Sequence, residues 1–432
     1  MNILLVCPHP PTVPCFFEKY ATPPLGLQQL AAVTPKKHTV KIIDERFEGI
    51  NYNKKYDLVG ITTITASAIH AYEIADKFRK RGMPVILGGY HASVLPDEAK
   101  QHADSVVIGE ADLIWPNLLQ DLEKGKLRPF YKDEIPVDPT LITPPDRNAS
   151  KNRYILAAVQ ATRGCPIGCE FCTISNLSGG KVFRKRPVEN VINEIKSIKH
   201  RALVFYDASL TIDPSYAKDL FKEMKGLKKK FSAYGNINSL GKDDELLELS
   251  KEAGCTAWFI GFESINQNTI NSVGKSTNIV EEYGKAIKKI KSHGISVIGS
   301  FMFGLDTDTP DVFDATLEAI EIWEIDSAEF SPLTPYPGTS IFRRFEDEGR
   351  ILTKDWSLYT CSGNVLFQPK NMTIQEFLDG IDKLEDFYSM SRFLRRVVRT
   401  IKLGFSPFLG IATWSFFTKA PYVVLQTFGK RL

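Results

Sequence analysis

Short apolar runs alternate with amphipathic stretches over the first 130 residues of the chain. The apolar runs have the length and β-branched content of buried strands, whereas the amphipathic stretches have helical spacing. The predicted strands are 2–7, 40–44, 57–63, 84–89 and 105–110, and the predicted helices are 23–35 and 66–82. Because apolar strands that alternate with helices are typical of parallel sheets, residues 1–130 are predicted to form a five-stranded, doubly wound α/β domain of the Rossmann-like, flavodoxin-like type.

Residues 131–156 are rich in proline and polar side chains, and we interpret them as an interdomain linker. A second series of strands and helices follows. Its predicted strands lie within 157–164, 201–210, 231–239, 256–264, 295–304 and 327–335, and its predicted helices lie near 188–199, 213–228, 243–253, 278–293 and 310–323. This pattern predicts a partial (β/α)6 barrel of the TIM type over residues 157–345, with functional side chains at the carboxyl ends of its strands. We expect residues 346–432 to form a helical C-terminal extension.

Composition and charge narrow the class of protein. The chain has 432 residues, 43% of them hydrophobic and 24% charged, which suits a globular protein of two domains and an extension. A net charge of +3 gives no overall signal for binding nucleic acid. The N-terminus lacks the basic region and the long apolar run of a signal peptide, so we expect a cytoplasmic protein with reduced thiols.

The C-terminal tail, residues 391–432, is basic and aromatic and contains no acidic residue. Its two apolar runs, 403–417 and 420–428, are shorter than the roughly 20 residues that a membrane-spanning helix needs. Basic residues beside tryptophan and phenylalanine are typical of an interfacial anchor, which predicts peripheral association with the inner face of the membrane. The alternative is a pair of helices that packs on the barrel. The basic residues are Arg392, Arg395, Arg396, Arg399, Lys402, Lys419, Lys430 and Arg431.

Three of the seven cysteines, Cys165, Cys169 and Cys172, lie within eight residues, directly after a predicted strand. They are too close together for ordinary pairwise disulfides. Zinc sites usually combine two such motifs, and no matching CxxC or HxxxH partner occurs here. Three soft thiolates fit a [4Fe–4S] cluster with one iron left free for a small molecule. A zinc knuckle or incidental core cysteines are the alternatives. The other cysteines, Cys7, Cys15, Cys255 and Cys361, are interpreted as plain buried thiols.

The segment RGCPIGCEFC, residues 163–172, resembles the signature of the radical S-adenosylmethionine (SAM) enzymes. The resemblance implies that the three cysteines hold a [4Fe–4S] cluster and that SAM chelates the fourth iron. Reductive cleavage of SAM then gives a 5′-deoxyadenosyl radical that abstracts hydrogen from the substrate. By analogy with the family, polar residues at the barrel strand ends bind SAM, although its Gly-Gly-Glu segment is absent. The predicted SAM-binding residues are Phe171, Tyr206, Asp207, Asn236, Glu263, Ser264 and Gly304. For each polar residue in this set, the alternative is that its side chain only hydrogen-bonds a neighbouring loop.

The first domain is similar to the cobalamin-binding domains that precede radical SAM barrels. The resemblance rests on PPLGLQQLAA, DLVGITTIT, VILGGYHAS and VIGEAD, at residues 23–32, 57–65, 85–93 and 107–112. Ligands of doubly wound sheets bind at the carboxyl ends of the strands. The predicted cobalamin-binding residues there are Thr62, Thr63, Thr65, Gly88, Gly89, His91, Gly109 and Glu110. The Asp-x-His-x-x-Gly motif that supplies a cobalt ligand in many such domains is absent. His9 and His91 remain candidates near the corrin, against the commoner alternative of a loop hydrogen bond.

The resemblance implies a cobalamin-dependent radical SAM methyltransferase acting on an unactivated carbon, with a flavodoxin or ferredoxin as external electron donor. The same architecture also supports radical cyclisation, ring formation and oxidative chemistry. The basic, aromatic tail favours a hydrophobic small-molecule substrate such as an isoprenoid or hopanoid lipid, with a tetrapyrrole or a natural-product intermediate as alternatives. A second hypothesis is a non-catalytic cobalamin or iron–sulfur sensor, and the polar residues at the barrel strand ends argue against it.

Overall fold

Two parallel sheets organise the computed structural model, which describes residues 1–9, 22–150, 154–360 and 363–403. The first sheet has the strand order β2-β1-β3-β4-β5-β6 and is parallel throughout. Its strands are β1 (Asn2–Cys7), β2 (Thr39–Asp44), β3 (Leu58–Thr62), β4 (Val85–Gly88), β5 (Ser105–Ile108) and β6 (Phe130–Lys132). The doubly wound α/β domain predicted from the sequence is thereby confirmed.

The first sheet has six strands and not the five predicted. Val106 of β5 pairs with Phe130, so β6 extends the sheet across the predicted boundary at residue 130. This strand is only three residues long and directly follows Pro129, which suits an edge strand. A run this short has no recognisable periodicity, which is why the sequence pattern assigned it to the linker.

Helices cover both faces of the first sheet because alternate strand residues point in opposite directions. Leu4 and Val6 pack beneath the helix that contains Phe78, whereas Ile3 and Leu5 pack against Trp115 on the opposite face. The helices are α1 (Leu25–Val33), α2 (Ala68–Arg79), α3 (Tyr90–Val94), α4 (Pro96–His102) and α5 (Ile114–Glu123).

The second sheet is an open half-barrel of six parallel strands in the order β7-β10-β11-β12-β13-β14, as predicted. A short antiparallel hairpin of β8 and β9 follows β7. The strands are β7 (Ala157–Val159), β8 (Thr162–Arg163), β9 (Arg184–Lys185), β10 (Ala202–Phe205), β11 (Lys230–Tyr234), β12 (Cys255–Glu263), β13 (Ser296–Phe303) and β14 (Ser327–Pro332). The helices are α6 (Thr173–Asn176), α7 (Val188–Ser197), α8 (Pro214–Met224), α9 (Ile237–Lys242), α10 (Asp244–Ala253), α11 (Gln267–Ser272), α12 (Tyr283–Ser292) and α13 (Val312–Ile322).

The C-terminal extension packs on both domains. Trp356 and Tyr359 are buried in the core of the first domain, whereas Phe377 and Leu384 join the core of the half-barrel. The helices here are α14 (Ser340–Asp347), α15 (Ile374–Leu384) and α16 (Met390–Ile401). The helical extension predicted after residue 345 therefore begins slightly earlier, at the start of α14.

The described part of the basic tail contacts the half-barrel. Arg392 forms an ion pair with Glu321 at 3.3 Å, and the hydroxyl of Thr400 donates to Asp326 at 3.3 Å. For residues up to 403, these contacts agree with the alternative in which the tail packs on the barrel. The two apolar runs lie almost entirely outside the described residues, and the described helices include none long and apolar enough to cross a bilayer.

Candidate active site

The cysteine loop is folded tightly between β8 and α6. Gly164 has φ +81°, and a Cβ atom on it would lie 2.2 Å from the carbonyl oxygen of Val182. A Cβ atom on Gly180 would lie 1.8 Å from the carbonyl oxygen of Ile174. The backbone N–H of Cys165 donates to the carbonyl of Gly180 at 2.8 Å. The two glycines are therefore required for the backbone to turn back on itself and hold Cys165 in place.

Asn176 fixes the other two cysteines. Its Nδ2 donates to the carbonyl oxygens of Cys169 and Cys172 at 3.1 and 2.8 Å, and its Oδ1 accepts from the backbone and hydroxyl of Ser340. One side chain thus ties the cysteine loop to the N-terminus of α14. No sequence pattern points to Asn176, because its partner Ser340 lies 164 residues away.

The three thiols suit a site that requires a bound cation. Cys165 and Cys169 are buried, and burial raises the pKa of both thiols, that of Cys169 to about 12. Such thiols ionise when a metal takes the place of the proton. Among the described residues, no three His, Cys, Asp or Glu side chains are close enough together to share one ion. Three thiols on one loop are the donor set that an iron–sulfur cluster uses, so the chemistry of these residues fits such a cluster.

A buried ion pair lies beside the thiols. Glu263, at the end of β12, pairs with Lys275, and the two side chains are only 12% and 14% exposed. Burial alone would lower the pKa of Lys275, but the Glu263 carboxylate and the neighbouring Cys169 thiol raise it. Glu263 has φ +63° where the β12–β13 register shifts, a strained conformation that is common at functional sites. Glu263 was predicted as a SAM-binding residue, whereas no sequence pattern pointed to Lys275.

The side chains of three other predicted SAM-binding residues accept hydrogen bonds from nearby backbone N–H groups. The Asp207 carboxylate accepts from the N–H groups of Ala161 and Thr162, and burial raises its pKa to about 6. The Asn236 side chain caps α9, and the Ser264 hydroxyl accepts from the backbone of Asn266. Their role as direct SAM ligands stays a prediction, and in this structure each has the contacts of the loop-bonding alternative.

The last three predicted SAM-binding residues differ in their surroundings. Tyr206 lines a cavity between the two domains. Phe171 packs on a buried cluster that includes Leu333 and Phe367. Gly304 has φ +92°, and a Cβ atom there would lie 2.8 Å from the ring of Phe377. The side-chain direction at Gly304 therefore faces the C-terminal extension, and the predicted contact with SAM would have to use the other side of its backbone.

Three residues that were predicted to bind cobalamin, His91, Thr63 and Thr65, lie in the interior of the first domain. All three are buried, and the His91 side chain is 0% exposed. The His91 ring contacts the Thr65 hydroxyl at 3.3 Å and the Glu98 carboxylate at 3.2 Å. Thr63 donates to the carbonyl of Gly88. These hydrogen bonds hold the ends of β3 and β4 together, and His91 has the contacts expected of the loop-bonding alternative. Cobalamin binding by these residues stays a prediction.

The glycines at this edge of the first sheet have two roles. A Cβ atom on Gly89 would lie 2.8 Å from the Thr62 hydroxyl and from the backbone of Thr63, so Gly89 lets β3 and β4 converge. Gly88 and Gly109 have more room, and a Cβ atom on Gly109 would meet no atom within 4 Å. Open backbone at a carboxyl edge fits the bulky corrin implied by the sequence resemblance. Gly88, Gly109 and Thr62 therefore remain the predicted cobalamin contacts at this edge.

Glu110 was predicted to bind cobalamin, but it forms one of two bidentate ion pairs between the domains. Its oxygens lie 2.7 and 2.8 Å from the guanidinium of Arg184 on β9. Asp112 binds Arg163 of β8 in the same way, at 2.8 and 3.0 Å. Fork-to-fork pairs of this kind fix orientation as well as distance. The hairpin that carries Cys165 is therefore tied to the carboxyl edge of the first sheet, and we call these two pairs the interdomain clamp.

A cavity of about 460 Å³ lies between the domains, close to the clamp. It is lined by the start of α1 on one side and by the ends of β7 and β10 on the other. Polar side chains on its wall include Gln29, Gln160, Arg163, Arg186 and Tyr206. The guanidinium of Arg186 has two nitrogens without a hydrogen-bond partner among the described residues. This polar cavity reaches the interdomain clamp through Arg163, which belongs to both.

Comparison with known proteins agrees with this architecture. Residues 159–320 match the family model of the radical SAM superfamily, and residues 19–119 match that of the B12 binding domain. The bacteriochlorophyllide d C-12(1)-methyltransferase of Chlorobaculum tepidum is 33% identical over 91% of this chain and 89% of its own length. The hopanoid C-2 methylase of Rhodopseudomonas palustris is 27% identical over 77% of this chain and 66% of its own length.

A solved structure shares the fold. The radical SAM methyltransferase TsrM from Kitasatospora setae, determined with cobalamin and a [4Fe–4S] cluster bound, superposes with a TM-score of 0.70. The match covers 90% of this chain and 89% of that one, at 15% sequence identity. At this identity the likeness concerns the arrangement of the two domains.

Proposed function

This chain belongs to the cobalamin-dependent radical SAM enzymes, and from that premise we propose that it methylates an unactivated carbon of a carboxylated tetrapyrrole. The observation that carries the proposal is the 33% identity to a bacteriochlorophyllide methyltransferase over nearly the whole length of both chains. The identity to the hopanoid methylase is lower and covers less of both proteins. A tetrapyrrole was an alternative to lipid in the sequence analysis, and the relatives make it the favoured substrate class.

The cofactors of the enzyme are a [4Fe–4S] cluster, SAM and cobalamin. When bound, the cluster supplies the electron for SAM cleavage and cobalamin supplies a methyl group. In our proposal Cys165, Cys169 and Cys172 hold the cluster, and the loop geometry set by Asn176 supports this role. A flavodoxin or ferredoxin would provide the electron. Association of the tail with a membrane is a separate proposal, and it concerns residues that are mostly outside the described part of the chain.

The Glu263–Lys275 pair supports a binding role for both residues. An α-amino acid carries one ammonium and one carboxylate group, and this ion pair presents the complementary charges. We propose that Lys275 donates to the SAM carboxylate and that Glu263 accepts from the SAM ammonium group. Both side chains are nearly buried and lie next to the thiols, so exchanging one ionic partner for another would leave no charge unpaired. The substrate pocket would then lie above this pair, inside the half-barrel.

Replacing Lys275 with Met is expected to weaken SAM binding roughly 10- to 100-fold, because a hydrogen bond to a charged group contributes about 1.5–3 kcal/mol. Equilibrium dialysis against SAM would measure the change, and iron analysis would show that the cluster is retained. Lys275→Arg should recover part of the affinity. Lys383→Met, at an exposed position on α15, is the matched control. Unchanged SAM affinity in Lys275→Met with the cluster intact would contradict the assignment.

Methyl transfer can be tested with SAM that carries a trideuteromethyl group. The anaerobically reconstituted enzyme would be given cobalamin, a strong reductant and either a chlorophyllide or a hopanoid, and products would be analysed by mass spectrometry. We expect 5′-deoxyadenosine and a trideuteromethylated chlorin. A labelled hopanoid would establish the lipid alternative, whereas a chlorin altered without gaining the label would indicate cyclisation or oxidation. Without 5′-deoxyadenosine, despite bound cluster and SAM, the sensor hypothesis would be favoured.

A further inference from the structure

The interdomain cavity contains a buried arginine whose hydrogen bonds are incomplete. Arg186 is only 3% exposed, and its Nη1 donates to the carbonyl of Gln160 at 2.7 Å. Its Nε and Nη2 have no hydrogen-bond partner among the described residues. Leaving donors of a buried guanidinium unsatisfied costs considerable free energy, more than for a neutral group. The cavity wall is therefore built to receive an acceptor from a bound molecule.

Three buried carboxylates surround the guanidinium groups near the cavity. Glu194, which also lines the cavity, pairs with Arg186 at 2.8 Å and with Arg147 at 2.7 Å, so one carboxylate serves two guanidinium groups. Asp112 pairs with Arg163 in the interdomain clamp, and the buried Asp207 is close enough to Arg186 for their charges to interact. The unused N–H donors of Arg186, and not a surplus of charge, are therefore what favours an acceptor such as an oxyanion in the cavity.

The opposite wall of the cavity adds a second attraction for anions. Helix α1 has nine residues, and its first two, Leu25 and Gly26, line the cavity. No side chain caps this end, and its first turn contains no acidic residue. A Cβ atom on Gly26 would meet no atom within 4 Å, so the backbone is open there. Free N–H groups and the positive end of a helix dipole favour a bound oxyanion.

We propose that the cavity is an oxyanion site in which Arg186 and the N-terminus of α1 bind a carboxylate group of the substrate. This rests on the proposed function, since a chlorophyllide is by definition a chlorin with a free carboxylic acid, whereas an uncharged lipid offers no such group. Binding the acid at the domain boundary would orient the macrocycle toward the half-barrel, whose residue Tyr206 shares the same cavity. The phosphodiester of cobalamin has the same chemistry and is the alternative source of the anion.

The proposal predicts that the holoenzyme distinguishes an acid from its ester. Pheophorbide a and its methyl ester differ only in that charge, and their affinities can be compared by anaerobic ultrafiltration with absorbance detection. We expect the acid to bind at least about tenfold more tightly, which corresponds to about 1.4 kcal/mol. Arg186→Gln should reduce the preference to less than about threefold. Arg201→Gln, at an exposed arginine outside the cavity, should leave it unchanged.

A second variant covers the case in which Arg186→Gln does not fold. Glu194→Gln keeps the shape but removes the competing carboxylate, so the preference for the acid should increase. Equal affinity for acid and ester, or binding of neither chlorin, would overturn the proposal. Loss of cobalamin in Arg186→Gln with an unchanged acid preference would assign the site to the phosphodiester instead. A preserved acid preference without any labelled methyl product would leave the site standing and reject the proposed reaction.

Discussion

Replacing Cys165, Cys169 or Cys172 with Ala is expected to remove the [4Fe–4S] cluster and to reduce 5′-deoxyadenosine formation to the level of a control without enzyme. In the proposed assignment each variant loses one of three protein ligands, and an incomplete thiolate set does not hold a cluster of four irons. The measurements are the broad visible absorbance and the iron content after anaerobic reconstitution, followed by product analysis with SAM and reductant. The effect should be the same at all three positions.

Cys255→Ala is the matched control for these variants. Cys255 lies in β12 at 2% exposure, and burial strongly raises the pKa of its thiol, so it is an inert core residue. Its removal should cost some stability through lost packing but leave the iron content unchanged. Equal loss of iron from Cys255→Ala, or a complete cluster in any of the three loop variants, would refute the assignment of the ligands.

Asp112→Asn is expected to destabilise the protein and loosen the cysteine hairpin. The side chains of Asp112 and Arg163 are 7% and 14% exposed, so the change removes the bidentate partner of a nearly buried guanidinium and leaves only Glu110, 3.7 Å away, to oppose its charge. Breaking such a pair costs roughly 3–5 kcal/mol. We expect the apparent melting temperature to fall by at least about 5 °C, with partial loss of iron because Arg163 is two residues from Cys165.

The control for this prediction is a pair with similar geometry but high exposure. Asp314 and Lys383 are 2.8 Å apart, with side chains 64% and 54% exposed, and Asp314→Asn should change neither stability nor iron content. The double variant Asp112→Leu, Arg163→Met should be less destabilised than the sum of the two single variants, because it leaves no unpaired charge. If Asp112→Asn behaves like Asp314→Asn, the interdomain clamp has no structural importance.

Most of the fold could be predicted because it is encoded in local periodicity. The five strands predicted in the first domain, the six predicted barrel strands and the five predicted barrel helices all appear. Strand β6 could not be found in this way, since a run of three residues after a proline is too short to show an alternation of apolar and polar side chains. Packing of Trp356 against the first domain was equally hidden, because it depends on a contact with Glu98, 258 positions earlier in the chain.

The site could be predicted only where spacing along the chain carries the chemistry. The cysteine loop has such a signature, whereas Lys275 and Asn176 acquire their importance from residues that are brought close by the fold. His91 and Glu110 do follow the ends of β4 and β5, as the sequence pattern predicted. The sequence does not reveal which way a strand-end side chain points, and these two point into the core and toward Arg184, respectively.

The packing of the C-terminal extension has a consequence for synthesis of the chain. Phe342, Trp356, Tyr359 and Leu366 lie in the core of the first domain, although the half-barrel separates them from that domain in the chain. During synthesis the first domain therefore keeps apolar surface uncovered until residue 366 has been translated. The half-barrel emerges during this delay, so the first domain is completed only after the second has been synthesised.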